Sequence, residues 1–161
     1  MSLDEERHYL DILGDQLSLA LGKAVWSFAR IEWLTYEYMK ELSSDDLDML
    51  MGDQFFKART KLIKKLVLRI EGSQAEKDQA ISCIARAETL ADQRNTIVHN
   101  PWQIWIDFNR RDFMTEIQKY TDREKKFDLT KVQDFTENAQ KLASDLKDAL
   151  SALTSASRRT R

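Results

Sequence analysis

The chain has 161 residues, of which 42% are hydrophobic and 32% charged, with a formal net charge of -2. That length supports one hydrophobic core rather than two, and the charge balance excludes a protein that coats nucleic acid non-specifically, because such binding rests on many cations displacing counterions from phosphates. Four glycines and one proline suit long, rarely interrupted helices, so an all-α fold is expected.

The opening "MSLDEERHYL" carries acids where a signal peptide carries positive charge, and no apolar run approaches bilayer-spanning length. The expectation is a cytoplasmic protein with no membrane partner. Residues 3–42 read as helix, with Gly14 and Gly22 expected to divide it into a short lead-in and a longer segment. In the longer segment Val25, Phe28, Ala29, Glu32, Tyr36 and Met39 share one face by three-and-four spacing, while Trp26, Ile31, Trp33, Leu34 and Tyr38 make other faces apolar. A helix apolar all round has to be covered on several sides.

"ELSSDDLDMLMGD" is a polar connection with a short apolar centre. "QFFKARTKLIKKLVLRI" returns to helical spacing, with Phe55, Leu62, Leu66 and Ile70 on one side and Lys57, Lys61, Lys64 and Lys65 away from them. "EGSQ" breaks the pattern, Ser73 is a candidate N-cap, and a third main helix spans 75–99 through Ile81, Ile84, Leu90, Ala91 and Val98. Cys83, the only cysteine, lies inside it and cannot pair within one chain, so it reads as a small buried apolar residue.

Pro101 stops that helix, since its ring disfavours helical geometry at Asn100 and supplies no amide hydrogen. "WQIWIDF" then alternates with the period of a strand, "NRRD" reads as a turn and "FMTEIQKY" as the returning strand of a small hairpin. After the charged "TDREKK", Thr130 and Gln133 have capping-box spacing for a last helix carrying Val132, Phe135, Ala139, Leu142, Leu146 and Leu150. The fold class expected is therefore a four- to five-helix bundle with a small β-hairpin inserted before the last helix. Residues 1–154 are expected to form one helical domain, and 155–161 a flexible basic tail.

The chemistry concentrates in "RNTIVHNPW", residues 94–102. On a helix Asn95 and His99 lie within about 40° of one direction and about 6 Å apart along the axis, whereas Arg94 and His99 diverge by roughly 140°. Histidine takes or gives a proton near neutral pH, and arginine offers a permanent donor fork to phosphate oxygens. Metal-free RNA cleavage needs a base at the ribose 2'-hydroxyl, an acid at the leaving 5'-oxygen and fixed positive charge at phosphorus. One histidine does not serve both sides of an in-line displacement. A two-fold dimer that juxtaposes the helix ends would supply two histidines and two arginines, and would bridge the divergence.

An arginine, a polar residue and then a histidine near the end of the third main helix of a small helical protein resembles the HEPN superfamily, the match resting on Arg94, Asn95 and His99. The resemblance implies a helical bundle that dimerises, with Arg94 and His99 of both copies lining a cleft that cleaves RNA without metal or cofactor. Many members are toxins of toxin-antitoxin or antiviral systems restrained by an antitoxin protein, and others have lost catalysis. One branch carries a tyrosine two residues after the histidine for inactivating modification; this chain has Pro101 there, and the strand-like insertion is also outside the minimal pattern.

The competing reading of these residues is structural: His99 as a cation near a helix C-terminus, Asn95 bonded locally, and Arg94 paired with Asp92 or Glu88. A non-catalytic module binding a nucleotide or a protein is the alternative at the level of function. Lys57, Lys61, Lys64 and Lys65, with Arg110 and Arg111 at the expected turn tip, are candidate RNA-backbone contacts that also fit solvated surfaces. Trp102 and Trp105 can stack on bases but suit packing as well, and His8 in its charged turn is expected to be solvated. No Gly-rich phosphate loop, Ser-His-Asp set or metal-ligand spacing is present in the sequence.

Overall fold

Helix α1 (Leu3–Leu42) runs unbroken through both glycines expected to divide it. The computed structural model describes residues 3–107 and 112–159. A glycine inside a helix costs about 1 kcal/mol relative to alanine, but Leu13, Leu17, Ala20, Ala24, Phe28 and Ile31 form a continuous buried row past Gly14 and Gly22. A Cβ at either glycine would meet nothing within 4 Å, so both sit where they weaken the helix without bending it. The buried face is also rotated from the expected one: Val25 and Ala29 are exposed, whereas Ser27, Ile31, Thr35 and Tyr38 are buried. Trp26 and Trp33 remain 75% and 66% exposed, so one chain does not supply the all-round cover that α1 calls for.

The connection holds a single turn, α2 (Leu47–Leu50), and is tied back to α1 by the Tyr36 hydroxyl, which donates to the Gly52 carbonyl at 3.3 Å. Helix α3 (Phe56–Arg69) buries Arg59, Thr60, Ile63 and Val67. Leu62, Leu66 and Ile70 pack half-buried against the core, but Phe55, expected beside them, is the N-cap residue and almost wholly exposed. Helix α4 (Gln74–His99) opens with a capping box, the Glu76 amide donating to Ser73 Oγ and the Ser73 amide to the Glu76 carboxylate. It buries Ile84, Leu90, Ala91 and, fully, Cys83, and ends at an extended Asn100 (φ -128°, ψ 138°), as the following proline requires.

Helix α5 (Leu129–Arg159) buries the six apolar positions that its spacing predicts, and continues into the stretch read as a tail. Its cap is Asp128, whose Oδ1 accepts the Lys131 amide at 2.8 Å, rather than Thr130 two residues on. Gln140 Nε2 donates to Ser27 Oγ at 3.3 Å and the Tyr38 hydroxyl to the Leu146 carbonyl at 2.8 Å, so α1 and α5 lie side by side in the same direction. Among the described residues no helix is long and apolar enough to cross a membrane.

Between α4 and α5 stands a three-stranded antiparallel sheet, not a hairpin: β1 (Trp102–Asp107), β2 (Asp112–Lys119) and β3 (Asp122–Asp128), in that order. The third strand is the charged stretch after Tyr120. Arg123, Glu124, Lys125 and Lys126 are all exposed, so β3 has no apolar alternation, and backbone pairing with β2 makes it a strand. Trp102, Ile117 and Phe127 lie in one cross-strand row, with Ile117 buried and Trp102 and Phe127 packed on the core. The sheet thus seals the end of the bundle where α4 stops. Trp105 alternates to the other face and is partly exposed.

Candidate functional site

The last two turns of α4 send Arg94 one way and His99 another, as the five-residue spacing requires. Arg94 turns inward to α1. One of its terminal nitrogens (Nη2) donates to Glu32 Oε1 at 2.8 Å, and the guanidinium lies over the Phe28 ring, 5.0 Å from the centroid. Neither Asp92 nor Glu88, the nearby acids expected as partners, takes it. Arg59 approaches the same carboxylate at 3.9 Å, donates to the Tyr36 hydroxyl, and covers the Tyr36 ring at 4.5 Å. Phe28, Glu32 and Tyr36 form a ladder of successive i, i+4 positions on α1, and two guanidinium groups from α3 and α4 are threaded onto it.

Two arginines therefore share one carboxylate. The side chains of Arg59, Arg94 and Glu32 are 6%, 23% and 33% exposed, and the Nε atoms of both arginines are buried without a hydrogen-bond partner. Aromatic faces offset part of the excess positive charge. Sequence reasoning missed Glu32 and Arg59 as members of the site. The available signal was an acid set among Phe28, Tyr36 and Met39 on an otherwise apolar face, since a buried carboxylate is held only by a cation or several donors.

Asn95 and His99 take the other side of α4, one turn apart and both exposed. They wall an open hollow of about 490 Å³ with Asn100, Lys119, Tyr120 and Lys125. Asn95, Asp92 and Lys125 also wall a neighbouring hollow of about 780 Å³ that extends to Phe55 and Lys57 at the start of α3, making one groove along α4 between α3 and the sheet. Arg94 lines neither hollow. Asn100 fixes the far end: its Nδ2 donates to the Thr96 carbonyl at 2.8 Å and its Oδ1 accepts the Tyr120 amide at 3.1 Å, pinning the β2–β3 turn to the helix terminus. Tyr120 is left 87% exposed at the rim.

Of the lysines on α3, Lys57 reaches the groove, and Lys61 and Lys65 are exposed. Lys64 instead bonds Glu88 at 2.7 Å, and Thr60 donates to the same carboxylate at 2.7 Å. Burial opposes ionisation of Glu88, but these bonds and the charges of Lys64 and Lys57 outweigh it and hold the carboxyl below its ordinary range. Arg110 and Arg111 lie outside the described residues. His8 is exposed, as expected. Among the described residues no group of three or more His, Cys, Asp or Glu side chains is gathered to hold a metal ion.

The architecture defines a mostly helical protein with a small antiparallel sheet set at the end of the bundle. Compared with protein-family models, with curated proteins and with solved structures, the chain finds no match.

Proposed function

We propose that this chain is a metal-independent endoribonuclease of the HEPN type, acting as a homodimer and serving as a toxin or antiviral-defence effector restrained by an antitoxin protein. The observation that carries the reading is the groove on α4: Asn95 and His99 are exposed on one wall, with Lys57, Lys119 and Lys125 around them among the carboxylates Asp92 and Glu124, and the Tyr120 ring at the rim. Such a channel suits a single strand, with cations beside phosphates and an aromatic face for a base.

In the proposed reaction the ribose 2'-oxygen attacks phosphorus and the bond to the 5'-oxygen breaks. One His99 takes the 2'-hydroxyl proton, and His99 of the partner subunit gives a proton to the leaving oxygen. Arg94, which has to leave Glu32 to reach the groove, would stabilise the charge that develops on the phosphoryl oxygens, and Asn95 orients the phosphate or the imidazole. The products carry a 2',3'-cyclic phosphate and a 5'-hydroxyl. Incubation of single-stranded RNA with the purified protein in a chelator tests this: cleavage is expected to persist, and to fall at least about a hundredfold in His99→Ala, the usual worth of a general acid or base. A strict requirement for a divalent metal, or full activity in His99→Ala, contradicts it.

One observation favours a second reading. The ion pair between Arg94 and Glu32 commits that guanidinium within its own chain, which suits a non-catalytic module that binds a nucleotide or a protein in the same groove. Saturable RNA binding with no cleavage under any metal condition selects this reading.

A further inference from the structure

The outer face of α1 repeats an apolar residue every seven positions, at Ile12, Leu19, Trp26 and Trp33, and all four are exposed. Phe28, Ile31, Thr35 and Tyr38 point the other way, into the core. The stripe therefore faces away from α4 and the His99 groove. Taking about 250 Å² for a whole tryptophan, the two indoles alone leave roughly 350 Å² open to water. That is close to half of the ~800 Å² each partner contributes to a standard interface.

We propose that α1 pairs with α1 of a second copy, antiparallel, about a two-fold axis passing between Gly22 and Lys23. This register is read from the sequence of the stripe itself. It sets Trp26 on the partner's Leu19 and Trp33 on the partner's Ile12, so each large ring meets a smaller aliphatic side chain. It sets Arg30 against the partner's Asp15 and Glu37 against the partner's His8. From position 8 to position 37 no two like charges face each other, and Lys23 falls opposite the partner's Gly22, where no side chain stands. A face complementary to itself in both shape and charge specifies a second copy rather than an unrelated helix. Leu19 also walls a hollow of about 780 Å³ between α1 and α5, which gives the partner's Trp26 indole space beside it. The pairing leaves the His99 groove uncovered, so it stands independently of the proposed nuclease cleft; a chain using both contacts assembles as a tetramer or larger.

Light scattering on the purified full chain tests it, with helicity followed by circular dichroism. Trp26→Glu with Trp33→Glu, at positions that do not support the core, is expected to halve the mass with helicity unchanged. A monomeric parent, or an unchanged mass in the double variant, overturns the pairing. Arg30→Asp sets acid against acid at two symmetric places and is expected to weaken association about tenfold, with recovery in Asp15→Arg/Arg30→Asp. A double variant no tighter than Arg30→Asp overturns the register. These readouts are masses and do not depend on RNA cleavage, so the nuclease reading fails or stands separately.

Discussion

Glu32→Ala isolates the interaction that joins α1, α3 and α4. The carboxylate has Arg94 at 2.8 Å and Arg59 at 3.9 Å, so removing it leaves two guanidinium groups facing each other with no counter-charge. Truncating one partner of a fully buried pair costs about 3–5 kcal/mol, whereas exposed pairs contribute about 1 kcal/mol or less. Glu32 is one-third exposed and Arg59 hardly at all, which sets the expected loss near 2 kcal/mol, or about 4–8 °C in Tm for a chain of this size. Arg94→Ala leaves Glu32 with Arg59 and is expected to cost only about 1 kcal/mol. Adding Arg94→Ala to Glu32→Ala then recovers stability, because the uncompensated charge is halved. Urea unfolding followed by helical circular dichroism measures all three variants. A Glu32→Ala protein within about 0.5 kcal/mol of the parent, the range of unremarkable surface substitutions, refutes the argument.

Glu88 sets an acid-side dependence. Its carboxyl is held below its ordinary range, so the folded chain binds that proton less tightly than the unfolded chain. The pairing stabilises fully above the ordinary carboxylate pKa of about 4.3 and is lost as pH falls through the lowered folded value. Glu88→Gln should therefore destabilise at pH 7 and converge with the parent in strong acid; parallel urea midpoints across that range would contradict this. Burial pushes the Cys83 thiol up, so a thiol reagent should label it only at the rate of unfolding, and prompt labelling of native protein would count against its position in the core. Asn100→Ala removes both bonds that pin the β2–β3 turn, and should speed amide exchange at Tyr120 several-fold while the exchange of buried α4 amides is unchanged.

Much of the bundle was legible because its elements carry their own punctuation. Ser73 and Glu76 mark the start of α4, Pro101 marks its end, and the six apolar positions expected on the inner face of α5 are all buried, with Ala143, Ala149 and Leu153 beside them. Three features were not legible. The strand β3 is defined by backbone bonds to β2, and its exposed charges leave no pattern of their own. Gly14 and Gly22 look like breaks only when the core row running past them is ignored. The rotation of α1, which buries Tyr38 and exposes Trp26, is decided by which faces α4 and α5 occupy. For the candidate site, the divergence of Arg94 from His99 followed from helix geometry alone. Its partner Glu32, and Arg59 that shares the carboxylate, did not, because they are 62 and 35 positions away along the chain.

The most direct test of the nuclease account is to dilute active chains with inactive ones. After subunit exchange with an equal amount of His99→Ala protein, a site needing one imidazole from each copy should leave about half the activity per wild-type chain, because random pairing joins half of those chains to an inactive partner. Unchanged activity per wild-type chain would mean that each copy works alone, and would contradict a shared site.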